Sequence, residues 1–286
     1  MRIGVTGYGG FIGSAVAAAL GEKGHEVVSL SPLVNTHKNP PSTLDMEIPL
    51  DLDWIFHFGA NTAVQESFKK PLPVYFDNLT STLFALEIAR TNSCPFLFMS
   101  SYVYGPPDYL PIDEKHPLKP VNPYAGSKIL GEFLCQQFSA LFNFPLVILR
   151  GFNIYGDFLL PGRLISDLLD CIRKKVPLCI NDPEPRRDYL YIKDFISLLH
   201  NIISKKPVIS GIYNLGSGEV FSNLRVAEII QELSGTKGSL RIKNTPRKND
   251  IDECRPDLTL VKKTFQWEPE YSLKNGLAEI IASINI

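Results

Sequence analysis

The sequence predicts an α/β chain: a doubly wound, Rossmann-like parallel sheet with a smaller C-terminal substrate-binding lobe. Three observations lead there. Short runs of Val, Ile, Leu and Phe without strict alternation suit strands buried on both faces. In the first half these runs alternate with stretches of helical spacing. A glycine-rich turn, "VTGYGGFIG", follows the first of them directly.

The elements follow in order. "RIGVTG" reads as a strand and is followed by a helix from about Phe11. "EVVSLS" is the second strand. The next segment, "PLVNTHKNPPSTLDMEIPLDL", holds four prolines, so its crossover helix is expected to be missing or reduced to a turn. "DWIFHFGA" is the third strand and leads to a helix through "VYFDNLTSTLFALEIAR". "PFLFMSS" is the fourth, followed by a helix holding Tyr124, and "PLVILRGF" is the fifth. After Gly156 the rhythm changes. A helix over roughly 162–175 precedes the β-like run "EPRRDYLYIKD" and another helix. "GIYNLGSG" is a strand entering a helix near Asn223, and two helices close the chain after a polar stretch from Gly235. The expected division is a dinucleotide-binding domain over 1–156, to which segments near 186–216 return, and a mainly substrate-binding lobe over 157–286.

Composition narrows the function classes. Of 286 residues, 44% are hydrophobic and 21% charged, and the net charge is −1, an ordinary globular balance. That charge gives no electrostatic case for nucleic acid or an acidic membrane as partner. No apolar run approaches the roughly 18 residues of a membrane span. Glycines and a lone Arg2 make the first 21 residues unlike a signal peptide. Cys94, Cys135, Cys171, Cys179 and Cys254 form no C-x-x-C pair; they read as reduced thiols of a cytoplasmic protein, with no metal.

Gly7, Gly10 and Gly13 form G-x-x-G-x-x-G between a strand and a helix. The first permits a positive φ, the middle one lets backbone approach a pyrophosphate, and the third lets helix and strand pack closely. The helix start beyond them, at Phe11 and Ile12, offers free N–H groups to phosphates. The cofactor is therefore a dinucleotide. The second strand ends at Ser31 with neither Asp nor Arg, so NAD is favoured only slightly and NADP stays open, with His37 and Lys38 in reach of a 2′-phosphate.

Tyr-x-x-x-Lys occurs twice, as Tyr124 with Lys128 and as Tyr189 with Lys193. The second copy lies in a β-like run, with Leu190 and Ile192 alternating against Tyr189, Tyr191 and Lys193, and reads as one face of a strand. The first lies on a helix, where i and i+4 share a face. Just upstream, Ser100 and Ser101 reach the carboxyl edge of the sheet, where the dinucleotide belongs. Free tyrosine, with a pKa of about 10, is a poor base at neutral pH. A lysine cation and an oxidised nicotinamide both favour the phenolate. Lowering its pKa by roughly three units takes about 4 kcal/mol. A serine can donate to or orient the same oxygen.

These motifs, with "SSYVYG", "NPYAGSK", "LRGFNIYG", "YNLGSG" and "FQWEPEYSLKNGL", resemble the extended short-chain dehydrogenase/reductase family in its nucleotide-sugar epimerase and dehydratase branch. The resemblance implies Tyr124 as acid/base, Lys128 as its partner and as a bond to the nicotinamide ribose, and Ser100 as the catalytic serine, with Ser101 nearer the sugar. Gly59, Ala60 and Asn78 resemble residues beside the cofactor, and Asp45 and Met46 an adenine-contacting pair. Asn153, Arg187 and Arg247 resemble contacts to a sugar diphosphate, and Asp250 a ribose partner. The implied activity is a nucleotide-sugar epimerase acting at C4 through a 4-keto sugar; the alternative is an NADPH-dependent 4-keto-sugar reductase. Ser101-Tyr102 stands where 4,6-dehydratases carry Asp-Glu, which argues against dehydration. A non-catalytic dinucleotide-binding member would not need the Tyr/Lys pair. The resemblance also implies a homodimer through the long helices near 74–91 and 122–143.

Overall fold

A computed structural model describes residues 1–31, 49–157, 161–236, 240–245 and 251–284. The chain divides into two compact units. The first comprises 1–103, 120–149 and 206–212, and the second 104–119, 150–205 and 213–286. Residues 104–119 thus join the second unit, and of the segment near 186–216 only 206–212 joins the first.

The first half alternates as its sequence predicts. β1 (Arg2–Thr6), α1 (Phe11–Glu22), β2 (Glu26–Leu30), β3 (Trp54–His57), α2 (Val64–Lys69), α3 (Pro71–Asn92), β4 (Phe96–Ser100), α4 (Pro123–Phe142) and β5 (Leu146–Gly151) follow one another. The proline-rich segment falls largely on 32–48, outside the described residues, and with it the question of its crossover helix. Later elements are β6 (Ile154–Tyr155), α5 (Leu164–Arg173), β7 (Cys179–Ile180), β8 (Arg186–Asp188), β9 (Leu190–Tyr191) and α6 (Ile192–Ser204). β10 (Gly211–Leu215), β11 (Val220–Ser222), α7 (Asn223–Ser234), β12 (Arg241–Ile242), β13 (Glu253–Cys254), α8 (Thr259–Phe265) and α9 (Leu273–Ser283) complete the chain.

Six strands form the main sheet in the order β10-β5-β4-β3-β1-β2. β1 runs parallel to β2 and β3, and β3 parallel to β4. The order reverses beside β1, which is where a doubly wound sheet opens a ligand crevice at its carboxyl edge. Central strands read as continuous apolar runs because both faces are covered: every residue of β3, β4 and β5 is buried. Ile55, Phe96, Phe98 and Ile148 meet Leu86 and Ile88 of α3 in one core cluster. The helix α4 starts where Asn122 caps it, its side chain accepting from the Ala125 N–H at 2.8 Å, with Pro123 in the first turn. It packs tightly on β4, since a Cβ added at Gly131 would lie 2.7 Å from the Phe98 ring.

Small ladders organise the second unit. β8 pairs with β11 antiparallel and with β13 parallel, and β6 runs parallel to β9. The run "EPRRDYLYIKD" departs from its expected reading. It is two short strands broken at Tyr189, and Ile192 and Lys193 open α6 instead of continuing a strand face. A helix start needs no apolar alternation, so a four-residue pattern across the junction misassigned it. The strand before Asn223 is likewise followed by a second one, β11, too short to leave a periodic signal. Buried Asp188 accepts the N–H groups of Ser217 and Gly218 and the Ser217 hydroxyl, and holds the "LGSG" turn; burial pushes its carboxyl up to about 7.

Candidate active site

The site in the first unit begins at the glycine turn. Gly7 has φ +68°, a conformation that suits glycine, and its carbonyl accepts the Gly10 N–H at 2.9 Å. A Cβ at Gly13 would lie 2.0 Å from the Gly7 oxygen, so α1 meets the turn too closely for any side chain. A Cβ at Gly9 would have nothing within 4 Å, so the outer side of the turn is clear. Beside it lies a cleft of about 950 Å³, open to solvent. Its lining includes Gly7, Gly9, Gly10, Ser31, Gly59, Ala60 and Asn61. The turn and the start of α1 offer backbone N–H groups to a pyrophosphate there. The cradle therefore fits a dinucleotide.

Thr6 lines the cleft and His57 lies buried behind it. Thr6 Oγ1 lies 2.7 Å from His57 Nδ1 and accepts the Gly59 N–H at 3.0 Å; His57 Nε2 lies 3.1 Å from Thr82 Oγ1. The imidazole is fully buried, and burial, followed by nearby Lys128, holds its pKa well below the ordinary value. It stacks on Phe98, ring centroids 5.6 Å apart.

Asn78 joins the cleft to α4. Its side chain accepts the Asn61 N–H at 2.6 Å, and its amide donates to the Asn61 carbonyl and to Ser127 Oγ at 2.8 Å. Ser127 in turn donates to the Tyr124 carbonyl. Asn78, expected beside the cofactor, thus spends its amide on the cleft loop and on the first turns of α4.

Tyr124, Lys128 and Glu132 follow at i, i+4 and i+8 along α4 and share one face. Lys128 is 3% exposed, and its ammonium sits 4.3 Å from the centroid of Phe98, opposite in sign to the ring's π face. Burial lowers its pKa to about 8; the partial opposing pulls come from Cys135 and Glu132. Ser100, the last residue of β4, donates its hydroxyl to Glu132 Oε1 at 2.5 Å, with both residues buried. Ser101 follows it, half-buried.

The structure thus places the glycine turn, Gly59, Ala60, Asn78, Ser100, Tyr124 and Lys128 in one unit; the turn, Gly59 and Ala60 line the cleft, and Asn78 ties the first turns of α4 to its loop. Asn153 and Arg187 belong to the other, where Asn153 Nδ2 donates to the Asp188 carbonyl at 2.8 Å and Arg187 Nη1 to the carbonyls of Arg186 and Ile251. Asp45, Met46, His37, Lys38, Arg247 and Asp250 lie outside the described residues. Sequence reasoning missed Glu132 and His57. The helical spacing that joins Tyr124 to Lys128 reaches Glu132 one turn later, so a signal existed for it. His57 sits inside the apolar run "WIFHF", where an imidazole passes for a core residue.

Related proteins match this chain over nearly its whole length. A UDP-glucose 4-epimerase of Streptococcus mutans is 31% identical, matching 99% of this chain and 95% of its own. The structure of a UDP-glucuronic acid 4-epimerase from Bacillus cereus, in complex with UDP-glucuronic acid and NAD, superposes with a TM-score of 0.84 at 26% identity and covers 99% of both chains. RMD from Pseudomonas aeruginosa, complexed with NADPH, superposes with a TM-score of 0.85 at 26% identity, covering 99% of this chain and 98% of its own. The glycine cradle, the Tyr124–Lys128 face and a family match running over residues 3–216 together place the chain in the NAD dependent epimerase/dehydratase family.

Proposed function

We propose that the protein is an NAD-dependent epimerase of a uridine diphosphate sugar, acting at C4. The observation that carries this reading is the common face of Tyr124 and Lys128 on α4, tied through Ser127 and Asn78 to the loop that lines the glycine cleft. Gly7, Gly10, Gly13, Gly59, Ala60 and the first turn of α1 hold the dinucleotide, and Lys128 its ribose. Bound NAD supplies a hydride acceptor that later returns the hydride to the same carbon.

The remaining work falls to side chains of this chain. Tyr124 takes the proton from the sugar 4-hydroxyl and gives it back when the opposite epimer forms. Lys128, largely protonated at pH 7 with a pKa of about 8, stabilises the phenolate by its charge. Ser100 orients the oxygen at C4. Asn153, Arg187 and Arg247 are read as contacts to the diphosphate, a group suited to a guanidinium fork, and Asp250 as a ribose partner. The unit of 1–103, 120–149 and 206–212 is read as the cofactor part, and the other unit as mainly the substrate part. Two chains pair through α3 and α4, supported by exposed Leu72 and Leu83 on one helix and by Leu130, Phe133 and Leu141 at helical spacing on the other. Among the described residues no helix is long and apolar enough to cross a membrane.

The test is incubation of purified protein with UDP-sugars. Interconversion of C4 epimers with no net change in cofactor redox state supports the reading. Steady NADPH consumption with a 4-keto sugar, without epimerisation, replaces it with the reductase.

A further inference from the structure

Of the five cysteines, Cys94, Cys135 and Cys254 are buried, while Cys171 and Cys179 are half-buried free thiols. The accessible two lie in the second unit. Cys171 sits in the last turn of α5, which ends at Arg173, and Cys179 opens β7. The chain between them turns straight back. The Lys175 N–H donates to the Ile172 carbonyl and the Val176 N–H to the Cys171 carbonyl, each at 3.0 Å. That turn sets the start of β7 against the end of α5. Burial and then the Asp170 charge push the Cys171 thiol up; the Cys179 N–H lies against that thiol and opposes them, and the Cys179 thiol is near enough to add to the rise. A cavity of about 840 Å³ opens to solvent here, with Cys171, Lys175, Leu178 and Gln231 in its lining.

Accessible thiols side by side exchange with external disulfides and then with each other, whereas buried single thiols are inert. We propose that Cys171 and Cys179 are a redox modification site, which closes to an intramolecular disulfide with a low-molecular-weight disulfide as oxidant. One thiolate of the pair attacks a sulfur of the reagent, forming a mixed disulfide and expelling one reagent thiolate. The second thiolate attacks the protein sulfur of that mixed disulfide and expels the other. Two protein S–H bonds are lost and one S–S bond is gained. The reagent is reduced to two thiols, and the two protons pass to its leaving thiolates. The new bond joins the end of α5 to β7, and β7 already carries β12. Cys179 and Ile180 pair with Arg241 and Ile242, and the N–H groups of Arg241 and Lys243 donate to the carbonyls of Leu178 and Ile180 at 2.9 and 3.0 Å. Closure therefore links α5 covalently to this two-stranded ladder.

The experiment treats the native full chain with oxidised glutathione, alkylates the remaining thiols in denaturant, and maps tryptic peptides with and without dithiothreitol. Arg173, Lys174 and Lys175 lie between the two cysteines, so trypsin parts them unless a disulfide joins them. The expected result is loss of two of the five thiols, with the Cys171 and Cys179 peptides recovered as one species that dithiothreitol splits. Cys94, Cys135 and Cys254 should all be recovered alkylated. Cys171→Ser and Cys179→Ser should each abolish the linked species, but wild type decides by itself if a variant does not fold. Five alkylated thiols in wild type, a glutathione left on either cysteine, or a disulfide joining two chains would each overturn the proposal. Oxidation of the three buried cysteines alongside the pair would overturn it too, since it would mark an unfolded chain rather than a paired site. The result is independent of the epimerase reading.

Discussion

The molecule contains the same four-residue spacing twice and makes two different things of it. Tyr124 and Lys128 lie on one helix face, with the amine buried against Phe98 and its pKa lowered to about 8. Tyr189 and Lys193 straddle a strand end and a helix start. Tyr189 is buried and burial pushes its phenol up, while Lys193 is mostly exposed, hydrogen-bonds Glu279 at 2.5 Å and has its pKa raised by that bond. Loss of water on burial destabilises the ammonium, and the aromatic face beside it leaves its charge available for a nearby anion. An exposed carboxylate partner neutralises the charge instead. Spacing becomes chemistry only where secondary structure puts both groups on one face and burial leaves the cation to work on its neighbour.

The largest expected effect breaks the comparison if it fails. Tyr124→Phe should lower kcat by about 10³-fold with NAD affinity retained, as measured by epimer formation and cofactor binding. Tyr189→Phe should keep turnover within about twofold, so equal losses in the two variants would erase the distinction. Next comes Gly13→Ala. With its Cβ 2.0 Å from the Gly7 oxygen, the glycine turn must shift, and NAD binding measured by fluorescence should be lost while the second copy is untouched.

Lys128→Met sharpens the contrast, because it should separate activity from stability. Turnover should drop on the order of 100-fold. The fold should gain up to roughly 3 kcal/mol, since a buried amine whose pKa falls from 10.5 to about 8 penalises the native state. The sign follows from proton counts. Between about pH 8 and 10.5 the unfolded chain holds the proton and the native one does not, so wild-type stability rises with pH across that window. The advantage of the methionine variant is thus full below pH 8 and shrinks above it, which denaturant melts at pH 7 and pH 10 can read. The smallest effect belongs to Lys193→Ala: an exposed ion pair contributes little, so turnover should stay within about twofold and the melting temperature within a few degrees.

Much of this contrast was legible in the sequence because its cause is local. Asn122 and Pro123 mark the start of α4 with a cap and a first-turn proline, and that alone puts Tyr124 and Lys128 on one face. The apolar runs of β3, β4 and β5 announced strands covered on both sides. Elements of two or three residues, such as β9 and β11, gave no periodicity to read, so Lys193 was assigned to a strand although it opens α6. The Ser100–Glu132 bond spans 32 positions and depends on how closely β4 and α4 approach, which packing at Gly131 sets and a linear pattern does not display. The His57 bridge between Thr6 and Thr82 is likewise a product of three elements meeting.

The central claim is that one phenol, next to one buried amine, works as acid and base. An ultraviolet titration of the NAD-loaded protein, comparing wild type with Tyr124→Phe, addresses it directly. The account predicts a tyrosinate that ionises well below the ordinary value of about 10 in wild type, favoured by the nearby ammonium and the oxidised nicotinamide, and missing from the variant. Identical titrations of the two proteins, with no tyrosine ionising before pH 10, would contradict it.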